Sequence, residues 1–158
     1  SSLAGTQQLG NLIMIYDDNR ISIEGDTHIT CTEDIDARYL AYGWDVIVVP
    51  IKADGDVDRE NLERAMLSAI ANKDKPVLIH IHTVIAWPAP NAKGTSKAHG
   101  SALGNEEISA TKLLLGLNPK ETFIAPTEVI NHARDVKQRG TEMYNQWQMH
   151  LSQMLSKI

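Results

Sequence analysis

The stretch that decides the fold is NLIMIYDDNRISIEG, residues 11–25. It opens with a short apolar run, residues 11–16, which is typical of a strand buried on both faces of a parallel sheet. Two aspartates and Asn19 then end the run, so the chain leaves this strand through a polar turn. The acid and amide oxygens of that turn suit a hard cation such as Mg²⁺, which takes few protein ligands together with phosphate oxygens. An Asx turn without any ligand explains the same residues, so the turn by itself leaves both interpretations open.

Further strands and helices alternate after this turn. Residues 44–50 (WDVIVVP) and 77–87 are predicted strands, because both are rich in β-branched and other apolar side chains. Helices are predicted over residues 35–42, with Thr32 as N-cap, and after Asp58, where apolar residues recur at helical spacing. This alternation predicts an α/β fold, a parallel sheet with flanking helices, in which ligands bind at the carboxyl ends of the strands.

Both ends of the chain are predicted to be helical. Residues 1–10 have the pattern of a helix that closes at Gly10, and from Pro126 onward the pattern is again helical, with Gly140 as a weak point. The apolar stripe of the second helix consists of Tyr144, Trp147, Leu151, Met154, Leu155 and Ile158. We expect the chain to be a segment of a longer protein, in which residues 126–158 form a helical connector toward the next domain.

The composition is that of an ordinary globular domain and excludes a disordered or collagen-like chain. The 158 residues are 42% hydrophobic and 22% charged. Fifteen basic and twenty acidic residues give a net charge of -5, which argues against a nucleic-acid partner. Cys31 is the single cysteine, so we expect a reducing, cytoplasmic setting. No apolar run approaches the roughly 20 residues of a membrane span, and no membrane partner is expected.

Two short motifs suggest metal sites and are weaker than the polar turn. His80 and His82 share one face of a predicted strand, but two ligands are fewer than the three of a catalytic zinc site, so partly buried, hydrogen-bonded histidines are the favoured interpretation. Residues 54–58 (DGDVD) begin like a calcium loop, but Arg59 and Ala65 occupy the positions that need Gly and Glu. A solvated turn that caps the next helix explains these aspartates better.

A second loop, residues 88–100 (PAPNAKGTSKAHG), offers groups that bind an anion. Its prolines stiffen the entry, its glycines allow close backbone approach, and its donors include Lys93, Ser96, Lys97 and His99. Because it and the first turn follow strands of one predicted sheet, the two can face a single ligand.

At these loops the sequence resembles the transketolase family. Residues 16–19 (YDDN) and 21–25 (ISIEG) resemble the second half of the family's thiamine diphosphate motif, residues 41–44 (AYGW) its Tyr-Gly-Trp element, and residues 97–104 (KAHGSALG) its His-Gly-x-x-Leu-Gly segment. The elements occur in family order, and the match runs nearly from end to end. The resemblance implies a thiamine diphosphate-binding fold, with residues 1–125 as the C-terminal part of the diphosphate-binding domain.

The resemblance also implies a role for particular residues. Asn19 would give its side-chain oxygen, and Ile21 its backbone carbonyl, to the Mg²⁺ or Ca²⁺ that bridges the cofactor diphosphate. Ile23 would pack near the thiazolium ring. The loop that carries Lys97 and His99 would lie over the diphosphate and the substrate entrance, so both are cofactor-binding candidates.

The sequence departs from the family pattern in two respects. The Gly-Asp-Gly half of the cofactor motif, whose Asp is a metal ligand, would precede Ser1. Ser96 stands where many members of the family have a His that touches diphosphate and substrate. The adjacent Lys97 offers a point charge to a phosphate in its place.

The resemblance implies part of an enzyme that transfers a two-carbon ketol unit from a ketose phosphate to an aldose phosphate in the pentose phosphate pathway. The chain alone is expected to be inactive. Its expected partners are sugar phosphates, the remainder of the enzyme and a second copy in a homodimer. Two alternatives stay open: another thiamine diphosphate enzyme, similar to dihydroxyacetone synthase, and a non-catalytic chain of a split enzyme.

Overall fold

The computed structural model describes residues 1–157, which divide into two compact units, one of Ser1–Pro119 and one that begins at Lys120. The helices are α1 (Ser2–Thr6), α2 (Ile35–Ala41), α3 (Arg59–Ala71), α4 (Asn105–Leu114) and α5 (Thr127–Leu155), and the strands are β1 (Ile13–Asp18), β2 (Ile21–Ser22), β3 (Gly25–Asp26), β4 (Asp45–Val49) and β5 (Val77–His82). Two short 3₁₀ turns, Thr27–Ile29 and Ser96–Ala98, lie in the connections.

The first unit contains a parallel sheet of three strands in the order β1-β5-β4. Strand β5 is central, and its Leu78 and Ile79 are fully buried. The register pairs Ile13 with Val77 at one end of β1 and Asp18 with His82 at the other. Parallel neighbours need crossover connections, which helices α2 and α3 provide. The predicted α/β fold is therefore confirmed.

Each face of the sheet is covered by a separate apolar cluster, because successive side chains of a strand point to opposite faces. On one face, Val77 and Ile79 pack with Ala65 and Ala69 of α3, together with Val49. The other face buries Leu78 with Ala4 of α1 and Trp44, the residue before β4.

Several elements begin or end away from their predicted positions. Helix α2 is capped by Asp34, not Thr32, because the Asp34 carboxylate accepts a hydrogen bond of 2.9 Å from the amide of Ala37. Strand β5 ends at His82, since the next residues form turns that place Ala86 at a φ of 59°. The predicted cap of α3 is confirmed: Asp58 accepts a hydrogen bond of 3.0 Å from the amide of Asn61.

Helix α1 is shorter than predicted, and α5 is more continuous. The first helix ends at Thr6, after which the chain turns through Gln8 at a φ of 51° before it reaches Gly10. Gly140 does not interrupt α5, which runs unbroken over 29 residues. Most of the apolar stripe of α5 is exposed, with Trp147 at 56%, whereas Leu151 is half-buried. Its last predicted residue, Ile158, lies outside the described residues.

Within residues 1–157 the helices lack the combination of length and hydrophobicity that crossing a bilayer requires.

Candidate functional site

The two loops singled out in the sequence leave the same edge of the sheet side by side. Asp18 ends β1 and pairs with His82, which ends β5. The next residue, Thr83, donates its amide to the carbonyl of Asp18 at 3.3 Å and its hydroxyl to the carboxylate of Asp17 at 2.5 Å. Because these bonds join the two strand ends, the turn after β1 and the loop after β5 start from a common point. Sequence reasoning did not assign this role to Asp17.

The turn after β1 is an Asx turn. The side-chain oxygen of Asn19 accepts a hydrogen bond of 3.0 Å from the amide of Ile21, and Arg20 between them has a φ of 62°. The turn leads into a two-stranded ribbon, β2 and β3, which is fastened by a hydrogen bond of 2.9 Å from the Ser22 hydroxyl to the carbonyl of Gly25. An amide oxygen has two lone pairs, so the bond to Ile21 leaves one for a cation. The Asx turn and the metal ligand are therefore compatible interpretations of Asn19.

The other predicted site residues are exposed. Ile23 lies between β2 and β3 with 70% of its surface exposed. Lys97 lies in the 3₁₀ turn Ser96–Ala98, and His99 follows that turn directly. Each of the three side chains is thus free to meet a ligand.

The loop between β5 and α4, residues 83–104, is held by a carboxylate that sequence reasoning missed. Glu107, in the first turn of α4, accepts hydrogen bonds from the Asn91 amide at 2.7 Å, the Asn91 side chain at 2.8 Å and the Ala92 amide at 2.8 Å. The side-chain bond from Asn91, followed by the two backbone bonds, lowers the pKa of Glu107 below its ordinary value. The carboxylate therefore stays charged and anchors the loop that carries Lys97 and His99.

A second contact fixes the start of this loop. The indole of Trp87 donates a hydrogen bond of 3.0 Å to the carbonyl of Asp54. Gly55 faces the same indole at a φ of 90°, so a side chain there would be strained and would crowd the ring. Residues 54–58 form a turn that caps α3, as predicted, and they also support this indole.

Asp18, the last residue of β1, lies at the start of the first turn and lines a polar pocket. Burial disfavours its charged form, but hydrogen bonds from Arg20 at 2.8 Å and from His80 at 3.3 Å outweigh burial and lower the pKa of Asp18. The other ring nitrogen of His80 lies 2.8 Å from the carboxylate of Asp36 on α2. His80 is thus a buried, hydrogen-bonded histidine, as the sequence favoured. The sequence did not indicate Asp18 or Asp36 as its partners.

A family model described as the transketolase thiamine diphosphate-binding domain matches residues 1–158. The chain belongs to the transketolase family. It is 49% identical to a transketolase of Mycobacterium leprae over 149 residues, which cover 94% of this chain and 21% of that protein. It is 39% identical to transketolase 1 of Saccharomyces cerevisiae, over 100% of this chain and 23% of that protein.

Solved transketolase structures have the same fold. The transketolase of Leishmania mexicana superposes with a TM-score of 0.84 at 36% identity, covering 93% of this chain and 21% of that one. The enzyme of Pichia stipitis superposes with a TM-score of 0.82 at 38% identity, covering 92% and 21%. The chain therefore spans about a fifth of the length of these transketolases.

Proposed function

We propose that this chain supplies part of the diphosphate- and metal-binding surface of a transketolase. The complete enzyme would transfer a two-carbon ketol unit from a ketose phosphate to an aldose phosphate. The observation that carries the proposal is the common origin of the two loops, joined at Asp18 and Thr83. Solved structures of the Pichia stipitis enzyme include complexes with xylulose 5-phosphate, fructose 6-phosphate and sedoheptulose 7-phosphate. Those ligands indicate the class of sugar phosphate to test first.

The donor set of the first turn fits a hard cation. Asn19 offers an amide oxygen with a free lone pair, and Ile21 offers a backbone carbonyl two residues further on. Oxygen ligands of this kind suit Mg²⁺ or Ca²⁺, and Mg²⁺ commonly completes its shell with phosphate oxygens and water. Two protein oxygens are too few for a dedicated cage, so this turn would hold the metal only together with the diphosphate and a further ligand, which the family places in its Gly-Asp-Gly segment.

The remaining residues divide the work of binding. Thiamine diphosphate, when bound, supplies a carbanion at thiazolium C2 that cleaves the ketose; the protein binds, orients and excludes water. Ile23, exposed and apolar, would cover one side of the thiazolium ring. Lys97 would neutralise phosphate charge as a point charge, and His99 would donate a hydrogen bond at the substrate entrance. Glu107 keeps their loop in place.

The decisive experiment measures ketol transfer from xylulose 5-phosphate to ribose 5-phosphate by the full-length protein that contains this chain. The Asn19→Ala variant removes the side-chain oxygen, and we expect at least a tenfold lower apparent affinity for Mg²⁺ and cofactor, roughly the effect of losing one metal-site contact. The matched control is Asn11→Ala, an exposed asparagine that precedes β1 at the opposite edge of the sheet. Equal cofactor and metal affinities in both variants would contradict the assignment of Asn19.

The same assay separates the alternatives. No transfer to ribose 5-phosphate by an intact, cofactor-loaded protein would favour another thiamine diphosphate enzyme, such as one similar to dihydroxyacetone synthase. Activity that needs a second polypeptide carrying the Gly-Asp-Gly segment would favour a split enzyme. The 158-residue chain alone is expected to be inactive. Micromolar binding of thiamine diphosphate and Mg²⁺ to this chain alone, measured by calorimetry, would contradict the proposal that its turn needs a further protein ligand to hold the metal. A homodimeric enzyme in the cytoplasm remains part of the proposal.

A further inference from the structure

Three side chains at the end of the sheet converge in a way that the proposed function does not use. Asp18, His80 and His82 each offer one ligand atom, and these atoms all lie within 4.8 Å of one another. Asp18 ends β1, and the histidines alternate on β5, so the parallel register places all three on one face. The sequence favoured hydrogen-bonded histidines because it showed only two ligands. The structure supplies the third, 62 residues away from His80.

The spacing of the donor atoms suits a tetrahedral metal ion. One carboxylate oxygen of Asp18 lies 3.3 Å from Nε2 of His80 and 3.4 Å from Nδ1 of His82. Bonds of about 2.0–2.1 Å in a tetrahedral zinc site place neighbouring ligand atoms about 3.4 Å apart. Two sides of the triangle therefore already have the required length, and the ligand atoms of the two histidines lie no more than 4.8 Å apart.

His80 is also oriented as a metal ligand. Its Nδ1 lies 2.8 Å from a carboxylate oxygen of Asp36. When Nδ1 donates its proton to that carboxylate, the lone pair of Nε2 points toward Asp18 and His82. A carboxylate behind the ligating imidazole is the usual outer partner of a protein zinc site, because it fixes the tautomer and raises the basicity of the ring.

The three side chains line an open cleft of about 560 Å³, so an ion has a route to them. Asp18 and His80 are buried, at 8% and 7% exposure, and His82 is half-buried. Arg20, the cation that now pairs with Asp18, has 67% of its side chain exposed and can swing away when an ion arrives. Within the described part of the chain, Asn19 is not among the residues that line this cleft.

We propose that Asp18, His80 and His82 form a binding site for Zn²⁺ or a chemically similar divalent transition-metal ion. Two imidazoles and one carboxylate favour such an ion over Mg²⁺ or Ca²⁺, which prefer ligand sets made of oxygen. The three ligands come from two strands, and Asp36 adds helix α2 as an outer partner. A bound ion would tie these elements together and keep its fourth position open toward the cleft. The site shares no ligand with the Asn19 and Ile21 pair assigned to Mg²⁺.

The test is titration of the metal-stripped, tag-free chain with Zn²⁺ by calorimetry, followed by Co²⁺ with its visible absorption as a report on ligand geometry. The main variant is His82→Gln, because His82 is the most exposed of the three ligands and the change should not disturb the core. We expect one ion per chain and at least a tenfold weaker affinity in this variant, with about tenfold for Asp36→Asn. Circular dichroism establishes that each variant is folded.

Two matched controls come from the same cleft. His28 is an exposed imidazole paired with Asp26 at 3.0 Å, and Cys31 is an exposed thiol. Both line the cleft but are not among the three proposed ligands. We expect His28→Gln and Cys31→Ser to bind Zn²⁺ as the parent does. The proposal is overturned if His82→Gln binds as tightly as the parent, or if no Zn²⁺ binds at all. It is also overturned if Asn19→Ala abolishes Zn²⁺ binding while His82→Gln does not, because the ion would then bind at the Asx turn after β1.

Discussion

Replacing Gly5 by alanine should destabilise the first unit, because Gly5 touches the main chain of another element. A β-carbon on Gly5 would overlap the carbonyl oxygen and carbon of Tyr42 and approach the Trp44 indole at 3.3 Å. Main-chain atoms cannot rotate out of the way as a side chain can, so α1 must move off the Tyr42–Trp44 turn. The contact packs Gly5 against residues 41–44, the segment that resembles the family's Tyr-Gly-Trp element.

The expected loss of stability is about 3 kcal/mol. Overpacking a tight contact costs about 1–3 kcal/mol. The shift of α1 also breaks the hydrogen bond of 2.8 Å from the Trp44 indole to the carbonyl of Ser1, worth about 1 kcal/mol. With an m-value of about 2 kcal/mol/M in urea, the unfolding midpoint falls by about 1.5 M.

Urea unfolding followed by tryptophan fluorescence measures this loss. The measurement uses a Trp147→Phe background, in which the remaining tryptophans, Trp44 and Trp87, lie in the first unit. The control is Ser2→Ala, an exposed position on the same helix, which should change the free energy of unfolding by no more than about 0.5 kcal/mol. An equally small change for Gly5→Ala would refute the argument, since it would show that α1 yields to the extra carbon at no cost.

Three further predictions follow from the core and the loop anchor. Ile79→Ala, at a fully buried site on the central strand, should lower the free energy of unfolding by about 3–5 kcal/mol, and Ile79→Val by about 1 kcal/mol. If urea titrations gave the same loss for the two variants, the side chain of Ile79 would not be closely packed. Glu107→Ala should speed hydrogen exchange at the Asn91 and Ala92 amides, because both donate to the Glu107 carboxylate. The control Glu106→Ala, which removes no bond to those amides, should leave their exchange rates unchanged. Unchanged rates in Glu107→Ala as well would show that the Glu107 carboxylate does not hold the loop. The hydrogen bonds to Glu107 lower its pKa in the folded protein. The stability that these bonds contribute should therefore be fully present above the ordinary Glu pKa of about 4.3, and it should be lost as the pH falls through the lowered pKa of Glu107. Amide shifts of Asn91 that move at neutral pH instead would contradict this.

The sequence predicted the elements whose signals are local. The apolar run before Asn19 became strand β1 of a parallel sheet, and Asp58 capped α3, because strand periodicity and capping depend on residues a few positions apart. The strand is not buried on both faces as predicted, because β1 lies at the edge of the described sheet, where Ile15 is 47% exposed. Strand β5 ends at His82, five residues before the predicted end at residue 87. The prediction was too long because β-branched residues continue after His82, although the chain has already turned there.

The site was predictable in part. The Asn19 turn and the loop with Lys97 were found because each is a short, characteristic stretch. Glu107 was missed because a glutamate in the first turn of a helix usually needs no explanation beyond the helix dipole. Only the folded loop shows that its carboxylate receives the amides of residues 91 and 92, about 15 residues earlier.

The sequence by itself determined the order of the three parallel strands and of the helices between them, the polar turn that follows the first strand and the family to which the chain is similar. It did not predict the short ribbon of β2 and β3. These properties reside in neighbouring residues, where periodicity, capping and motif spacing act. The tertiary structure alone decided that Asp18 meets His80 and His82, and that Gly5 meets Tyr42. Each of these contacts depends on which strand or helix packs beside which. That arrangement is determined by the burial of apolar side chains over the whole sheet and not by any short stretch of the chain.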